Sequence, residues 1–173
     1  MRVSEITFGA WAIGGWLWGG NDEKDSIAAI HAAVDHGISS FDTAPVYGFG
    51  FSESLVGKAL KEKRQSVQLL TKYGLRWDLE GGYLHKDTID QHGAARSVRR
   101  IARKESIIAE CEASLQRLNT DYIDLYQIHW PDPLTVASET MEAMDLLIEQ
   151  GKIRAAGVCN YSAEQMSEAQ TFA

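Results

Sequence analysis

From residue 4 onward, short apolar runs alternate with stretches whose apolar positions recur every three or four residues. A short apolar run bounded by glycine or polar clusters reads as a buried strand, and a 3.6-residue period reads as an amphipathic helix. Strands are therefore expected at about residues 6–11, 39–42, 67–71, 122–128 and 153–158. Between them, one helix is expected after Asn21 or Asp22 as N-cap, with Ile27, Ile30 and Val34 on one face and Gly37 closing it. A second begins at Ser52 and buries Leu55, Val56, Ala59 and Leu60. A third covers about residues 106–118, with Ile108, Cys111, Leu115 and Leu118 in register, and a fourth covers 138–150, with Met141, Met144, Leu147 and Ile148. A fifth starts at Ser162. This alternation predicts βα units around a parallel sheet.

Two stretches stand outside the pattern. Residues 75–93 follow neither period and are expected to form a long loop, a lid or flap. Residues 96–104 carry five basic side chains, which read as a solvated helix face or arm, with an anion contact as the alternative.

The polar residues at the strand ends change the picture. Asp42, Lys72, His129 and Asn160 each fall at the carboxyl end of an expected strand, and in a βα barrel those ends share the face that carries chemistry. Singly, each has an ordinary explanation. Asp42 could form an Asx-turn before Pro45, Lys72 could snorkel, His129 could be a satisfied core histidine, and Asn160 could cap a helix. Tyr47, just past the Pro45 turn, could simply pack over the barrel mouth. Together on one rim, a shared pocket is the better explanation.

Composition narrows the function. The chain has 173 residues, 45% of them apolar and 24% charged, enough to bury the core of one domain. Its formal charge of −7 argues against a nucleic-acid partner. Cys111 and Cys159 form no ligand spacing and suit a reducing, cytoplasmic compartment. The apolar run at residues 6–18 contains Gly9, Gly14 and Gly15 and is too short to span a bilayer, so no membrane association is expected.

A phenol with a pKa near 10 holds its proton too tightly for efficient acid catalysis at neutrality. An ammonium about 4 Å away at an effective dielectric near 20 favours phenolate by roughly 4 kcal/mol before desolvation, about three pKa units. Lys72 is therefore expected to lower the Tyr47 pKa, with Asp42 keeping Lys72 charged and His129 polarising a carbonyl oxygen. Such a set delivers a proton to an oxygen that gains negative charge, as when hydride attacks a carbonyl carbon. No side chain supplies hydride, so a nicotinamide cofactor is implied.

The stretches FDTAPVYGFGFSESLVGKAL, TKYG, SLQRLNTDYIDLYQIHWPDP and GKIRAAGVCNYS resemble, in order, the recurring motifs of the aldo-keto reductase family. That resemblance implies a (β/α)8 TIM-type barrel using NADPH or, less often, NADH to interconvert small carbonyl and alcohol substrates. It implies Tyr47 as proton donor, Lys72 as its tuning cation, Asp42 as the partner of Lys72, and His129 as the group orienting substrate. Asn160, Cys159 and Asp42 would contact the cofactor. Cys159 stands where the family usually has serine and is the weaker hydrogen-bonding group. About five of eight βα units are present, so an incomplete barrel is expected, with impaired cofactor binding and self-association through exposed sheet edges.

Other readings are a nucleotide-sensing scaffold of the same fold without fast turnover, and a Schiff-base aldolase using Lys72. Gly48 and Gly50 make only a partial dinucleotide-binding pattern, because Glu53 stands where its third glycine belongs. His85, Asp87, Asp90 and His92 match no defined metal spacing. Trp11, Trp16, Trp18 and Trp130 are expected near the rim as pocket walls.

Overall fold

The structure, a computed structural model, describes residues 1–172. Its elements run in the order β1 (Thr7–Gly9), α1 (Glu23–Asp35), β2 (Ser40–Asp42), α2 (Phe51–Leu60), β3 (Gln68–Tyr73), β4 (Leu75–Arg76), β5 (Tyr83–Ile89) and β6 (Ala95–Arg100). They continue with α3 (Lys104–Leu118), β7 (Leu125–Ile128), α4 (Ala137–Glu149), β8 (Ala156–Val158) and α5 (Ala163–Gln170). Five strands form one parallel sheet in the order β1-β2-β3-β7-β8. The outer edges of β1 and β8 pair with no other strand among the described residues.

Local chemistry sets the helix limits. The Asp22 side chain caps α1 by accepting from the Asp25 amide, and Gly37 follows the helix at φ 85°. The start of α5 is a capping box in which Ser162 and Gln165 satisfy one another's backbone amides. Helix α3 begins at Lys104, slightly earlier than its apolar period indicates.

Strand alternation sorts the sheet into two faces. Phe41, Leu69, Tyr126 and Ile128 face the helices and join Ile30, Val56, Ile107, Cys111, Met144 and Leu147 in the main core. The alternating set places Asp42 opposite Leu70 and Lys72 opposite Gln127, directing those polar groups to the other face. Buried polar bonds brace the strands from the helix side. Glu53 of α2, fully buried, accepts from Thr71 at 2.6 Å and from Arg117 of α3 at 2.7 Å. Glu110 of α3 accepts from the Gly74 amide at 2.8 Å, just beyond β3.

The expected loop at 75–93 and the expected basic arm or helix face at 96–104 are both corrected. Strands β4, β6 and β5 form a separate antiparallel sheet, with Thr88 facing Arg96 and Ile89 facing Ala95. Asp90 shapes the hairpin turn: Oδ1 accepts from the amides of His92 and Ala94, and Oδ2 accepts from Arg96. Gly93 supplies the left-handed backbone at φ 83°. The basic run is thus mostly strand, with Arg96, Arg99 and Arg100 on β6 and Lys104 opening α3.

Helices α2 and α3 approach very closely at Gly57, where an added Cβ would lie 2.6 Å from the Leu118 carbonyl carbon and 2.7 Å from the Arg117 oxygen. Gly57→Ala should therefore destabilise the protein by about 1–3 kcal/mol through overpacking, even though alanine favours a helix by about 1 kcal/mol over glycine. Urea unfolding measures the balance, and an unchanged or raised midpoint would show that the helix pair can separate without loss.

Candidate active site

The carboxyl ends of β2, β3, β7 and β8 assemble the site. Lys72, near the end of β3, donates to Asp42 Oδ1 at 2.6 Å and to the Thr43 carbonyl at 2.9 Å. Its side chain is 7% exposed and that of Asp42 28%, so the ammonium is taken from water and given two acceptors in exchange. Parallel register makes this possible, since β2 and β3 pair through Asp42 and Leu70 and leave Lys72 one residue pair further along the same face.

Tyr47 reaches the rim on the turn that follows β2. The Ala44 carbonyl accepts from the Tyr47 amide at 3.1 Å, and the Pro45 carbonyl accepts from Gly50 at 2.7 Å. The turn is seated on the backbone at Gly14. A Cβ on Gly48, which has φ +64°, would sit 2.1 Å from the Gly14 carbonyl oxygen, so only glycine permits this contact. Lys72 Nζ lies 5.2 Å from the centroid of the Tyr47 ring, and the His129 ring meets that ring edge-on at 5.6 Å. Trp11 stacks on the same ring, with centroids 5.8 Å apart.

The electrostatics correct one expectation. Burial pushes the Tyr47 phenol above its ordinary range; Lys72 pulls it down, and Asp42 raises it again. The carboxylate that holds Lys72 in place also cancels part of its field at the phenol, so Tyr47 remains protonated at neutral pH. His129 is held neutral, its pKa lowered to about 3 by burial, by Lys72 and by His85. Neither of its ring nitrogens has a hydrogen-bond partner among the described residues, unlike a satisfied core histidine.

Asn160 lies two residues beyond β8 in left-handed backbone, φ 59°, and its Nδ2 donates to the His129 carbonyl at 2.7 Å. It does not cap α5, since Ser162 does. Cys159 Sγ is 3.7 Å from Gln127 Oε1, and burial raises its thiol pKa. Tyr47 and His129 line a cavity of about 250 Å³ with Trp11, Trp16, Trp130 and His85. Trp18 falls outside that cavity, 55% exposed and packed edge-on against Trp11. No three His, Cys, Asp or Glu side chains gather as metal ligands among the described residues. Asp87 instead accepts from Ser97, and Asp90 pairs with Arg96.

The antiparallel sheet is a wall of the cavity rather than an appendage. Trp16 Nε1 donates to Thr88 at 3.2 Å, and Gln91 Nε2 donates to the Gly48 carbonyl at 3.1 Å, so β5 and its turn are tied to the loops beside Tyr47. The sequence reading missed this wall, and it missed the bracing roles of Ser52, Glu53 and Glu110. Ser52 bonds Thr43 at 2.9 Å and the Ala10 carbonyl at 2.7 Å, fixing the backbone that follows Asp42. A serine and a glutamate inside an otherwise apolar helix stripe were the available signal.

A parallel sheet with helices packed against one side, and an ion-paired lysine and a tyrosine at its carboxyl rim, place this cluster at the face where βα barrels carry their chemistry. Residues 5–172 match the aldo/keto reductase family, and the chain belongs to it. It is 51% identical over 168 residues to Aldo-keto reductase YhdN of Bacillus subtilis (strain 168), covering 96% of this chain and 46% of that protein. It is 40% identical over 174 residues to the NADH-specific methylglyoxal reductase of Escherichia coli (strain K12), covering 97% and 52%. The structure of the glycerol dehydrogenase AKR11B4 from Gluconobacter oxydans superposes with a TM-score of 0.85 at 45% identity, covering 100% of this chain and 50% of that one. The chain thus spans about half the length of the relatives it matches, and its parallel sheet and helices correspond to part of a (β/α)8 barrel. No helix among the described residues is long and apolar enough to cross a membrane.

His129 carries a testable consequence. Its folded pKa lies near 3, below the ordinary 6.5, so the unfolded chain binds more protons between those values. Stability from this residue is fully present above about pH 6.5 and falls by up to about 1.4 kcal/mol per pH unit on acidification. His129→Gln should flatten that slope in unfolding experiments between pH 4 and 6. Imidazole NMR resonances of His129 that titrate near 6.5 in the folded protein would contradict the assignment.

Proposed function

We propose that the chain's site reduces aldehydes or ketones to alcohols with NADPH or NADH. The observation that carries this reading is the convergence of a protonated Tyr47 and a neutral His129 on one cavity, with the ion-paired Lys72 5.2 Å from the centroid of the Tyr47 ring. The residues present fit a nicotinamide. Asn160 is exposed at the rim with its side-chain oxygen unengaged among the described residues, and its amide is fixed beside His129. With Cys159 and Asp42, it would hold the carboxamide. A reduced nicotinamide, when bound, supplies the hydride.

Within the chain, the neutral His129 donates an N–H to the substrate's carbonyl oxygen and orients it. Tyr47 then transfers its proton to that oxygen as negative charge builds. An alkoxide is far more basic than a phenolate, so even a phenol of raised pKa gives up its proton to it. Lys72 stabilises the phenolate left behind, and Asp42 holds Lys72 at the required place. Lys72 Nζ is engaged by two oxygen acceptors, Asp42 and the Thr43 carbonyl, rather than left free to attack a carbonyl carbon as a Schiff-base aldolase needs. The free Cys111 and Cys159 suit a cytoplasmic setting. Self-association would use the unpaired edges of β1 and β8.

Tyr47→Phe should lower kcat/KM for carbonyl reduction by at least about a hundredfold, the usual contribution of a positioned acid. Far-UV circular dichroism should stay unchanged. Lys72→Met should lose activity to a similar extent. Full activity in Tyr47→Phe, or borohydride trapping of a carbonyl compound on Lys72, would replace the reductase reading.

A further inference from the structure

A cluster on the antiparallel sheet faces the same cavity and takes no part in the steps above. Arg100 Nε, on β6, donates to His85 Nδ1, on β5, at 3.1 Å. The guanidinium lies 4.9 Å from the Trp130 ring centroid and 5.3 Å from that of Tyr83, and Nη1 donates to the Pro131 carbonyl at 3.2 Å. The His85 ring in turn packs against Trp130, with centroids 5.4 Å apart. Arginine is thus held on several sides, and it holds the imidazole.

This contact decides the tautomer. A guanidinium N–H can only donate, so Nδ1 is the acceptor nitrogen and the proton of the neutral ring sits on Nε2. Burial, Arg100 and Lys86 all keep the His85 pKa below the ordinary histidine value, consistent with that neutral form. Nε2 has no hydrogen-bond partner among the described residues. The cavity therefore presents two imidazole groups, His129 and His85, the second with its N–H placed on Nε2 by Arg100, against walls that include Trp16, Val46, Leu75 and Val98.

We propose that His85 is a second oxygen-recognising residue of this cavity, so that its preferred substrates are short carbonyl compounds bearing a further hydroxyl or oxo group. The assignment rests on the reductase reading of the same site. His129 takes the reacting oxygen, and the Nε2–H of His85 takes the other. A cavity of about 250 Å³ has room for on the order of eight waters, which suits a molecule of a few carbons. A substrate without the second oxygen displaces water from Nε2–H and leaves that donor unpaired, an unfavourable exchange.

The test compares propanal with lactaldehyde, which differ by one hydroxyl group, under saturating reduced cofactor, in the wild type, His85→Phe and His85→Gln. The wild type should favour lactaldehyde by about tenfold in kcat/KM, the scale of one well-placed hydrogen bond. His85→Phe should bring the ratio close to one, while His85→Gln, which keeps an N–H donor, should retain part of it. An unchanged ratio in His85→Phe, or no preference in the wild type, overturns the assignment. Should the wild type reduce neither aldehyde, the reductase reading fails. Tryptophan-fluorescence titration with 1,2-propanediol and 1-propanol then decides the role of His85. Tighter diol binding that is lost in His85→Phe supports it, and equal affinities for the two alcohols overturn it.

Discussion

The contact between Lys72 and Asp42 organises the rim. An ammonium with a side chain only 7% exposed is tolerated because Asp42 and the Thr43 carbonyl replace its lost water. Its field reaches Tyr47, His129 and Cys159 and acts downward on the pKa of each, although burial leaves Tyr47 and Cys159 raised. Because Asp42 raises the pKa of Tyr47 and Cys159, the pair acts more as a dipole than as a free charge at those groups. That explains why Tyr47 keeps its proton beside a lysine. The lysine's effect is then largest when negative charge appears on the phenol, which is when a proton donor needs it.

Holding that pair demands a rigid support, and the support is polar. Glu53 joins β3 to α3 through Thr71 and Arg117, while Ser52 joins the segment after β2 to that after β1. Glu110 is buried completely, and burial raises its pKa to about 8, so it stands mainly as a neutral acid at neutral pH. Among the described residues its Oε1 and the Tyr126 hydroxyl lack partners, each forgoing roughly 1–3 kcal/mol. The helix-facing side of the sheet thus trades some stability for polar contacts that fix β3, the strand that carries Lys72.

The antiparallel sheet serves a different purpose. Strand β5 is polar or exposed on both faces, so it lacks the alternation by which strands are recognised, and backbone pairing with β6 rather than side-chain burial defines it. Its turn did carry a signal, Asp90 three residues before Gly93, of the kind that closes a hairpin. What it contributes is an enclosing surface, joined to the barrel rim through Trp16, Gln91 and the stack of Arg100 on Trp130. The exposed Arg96 and the half-buried Arg100 both read as solvated in sequence because the aromatic faces they cover, Phe49 and Trp130, come from distant segments.

The sequence by itself determined the five parallel strands, their flanking helices and the placing of Asp42, Lys72, His129 and Asn160 at strand ends. Those features follow from apolar periodicity and from caps such as Asp22 and Ser162, which act within a few residues. Only the tertiary structure decided the sign of the Tyr47 shift, the tautomer of His85 and the existence of the second sheet. Each depends on a balance among groups far apart in the chain. Desolvation opposes Lys72 at residue 47, Arg100 meets residue 85 across a hairpin, and β5 pairs with β6 without a buried stripe to announce it. Local pattern records which residues prefer burial; it does not record which charges will share it.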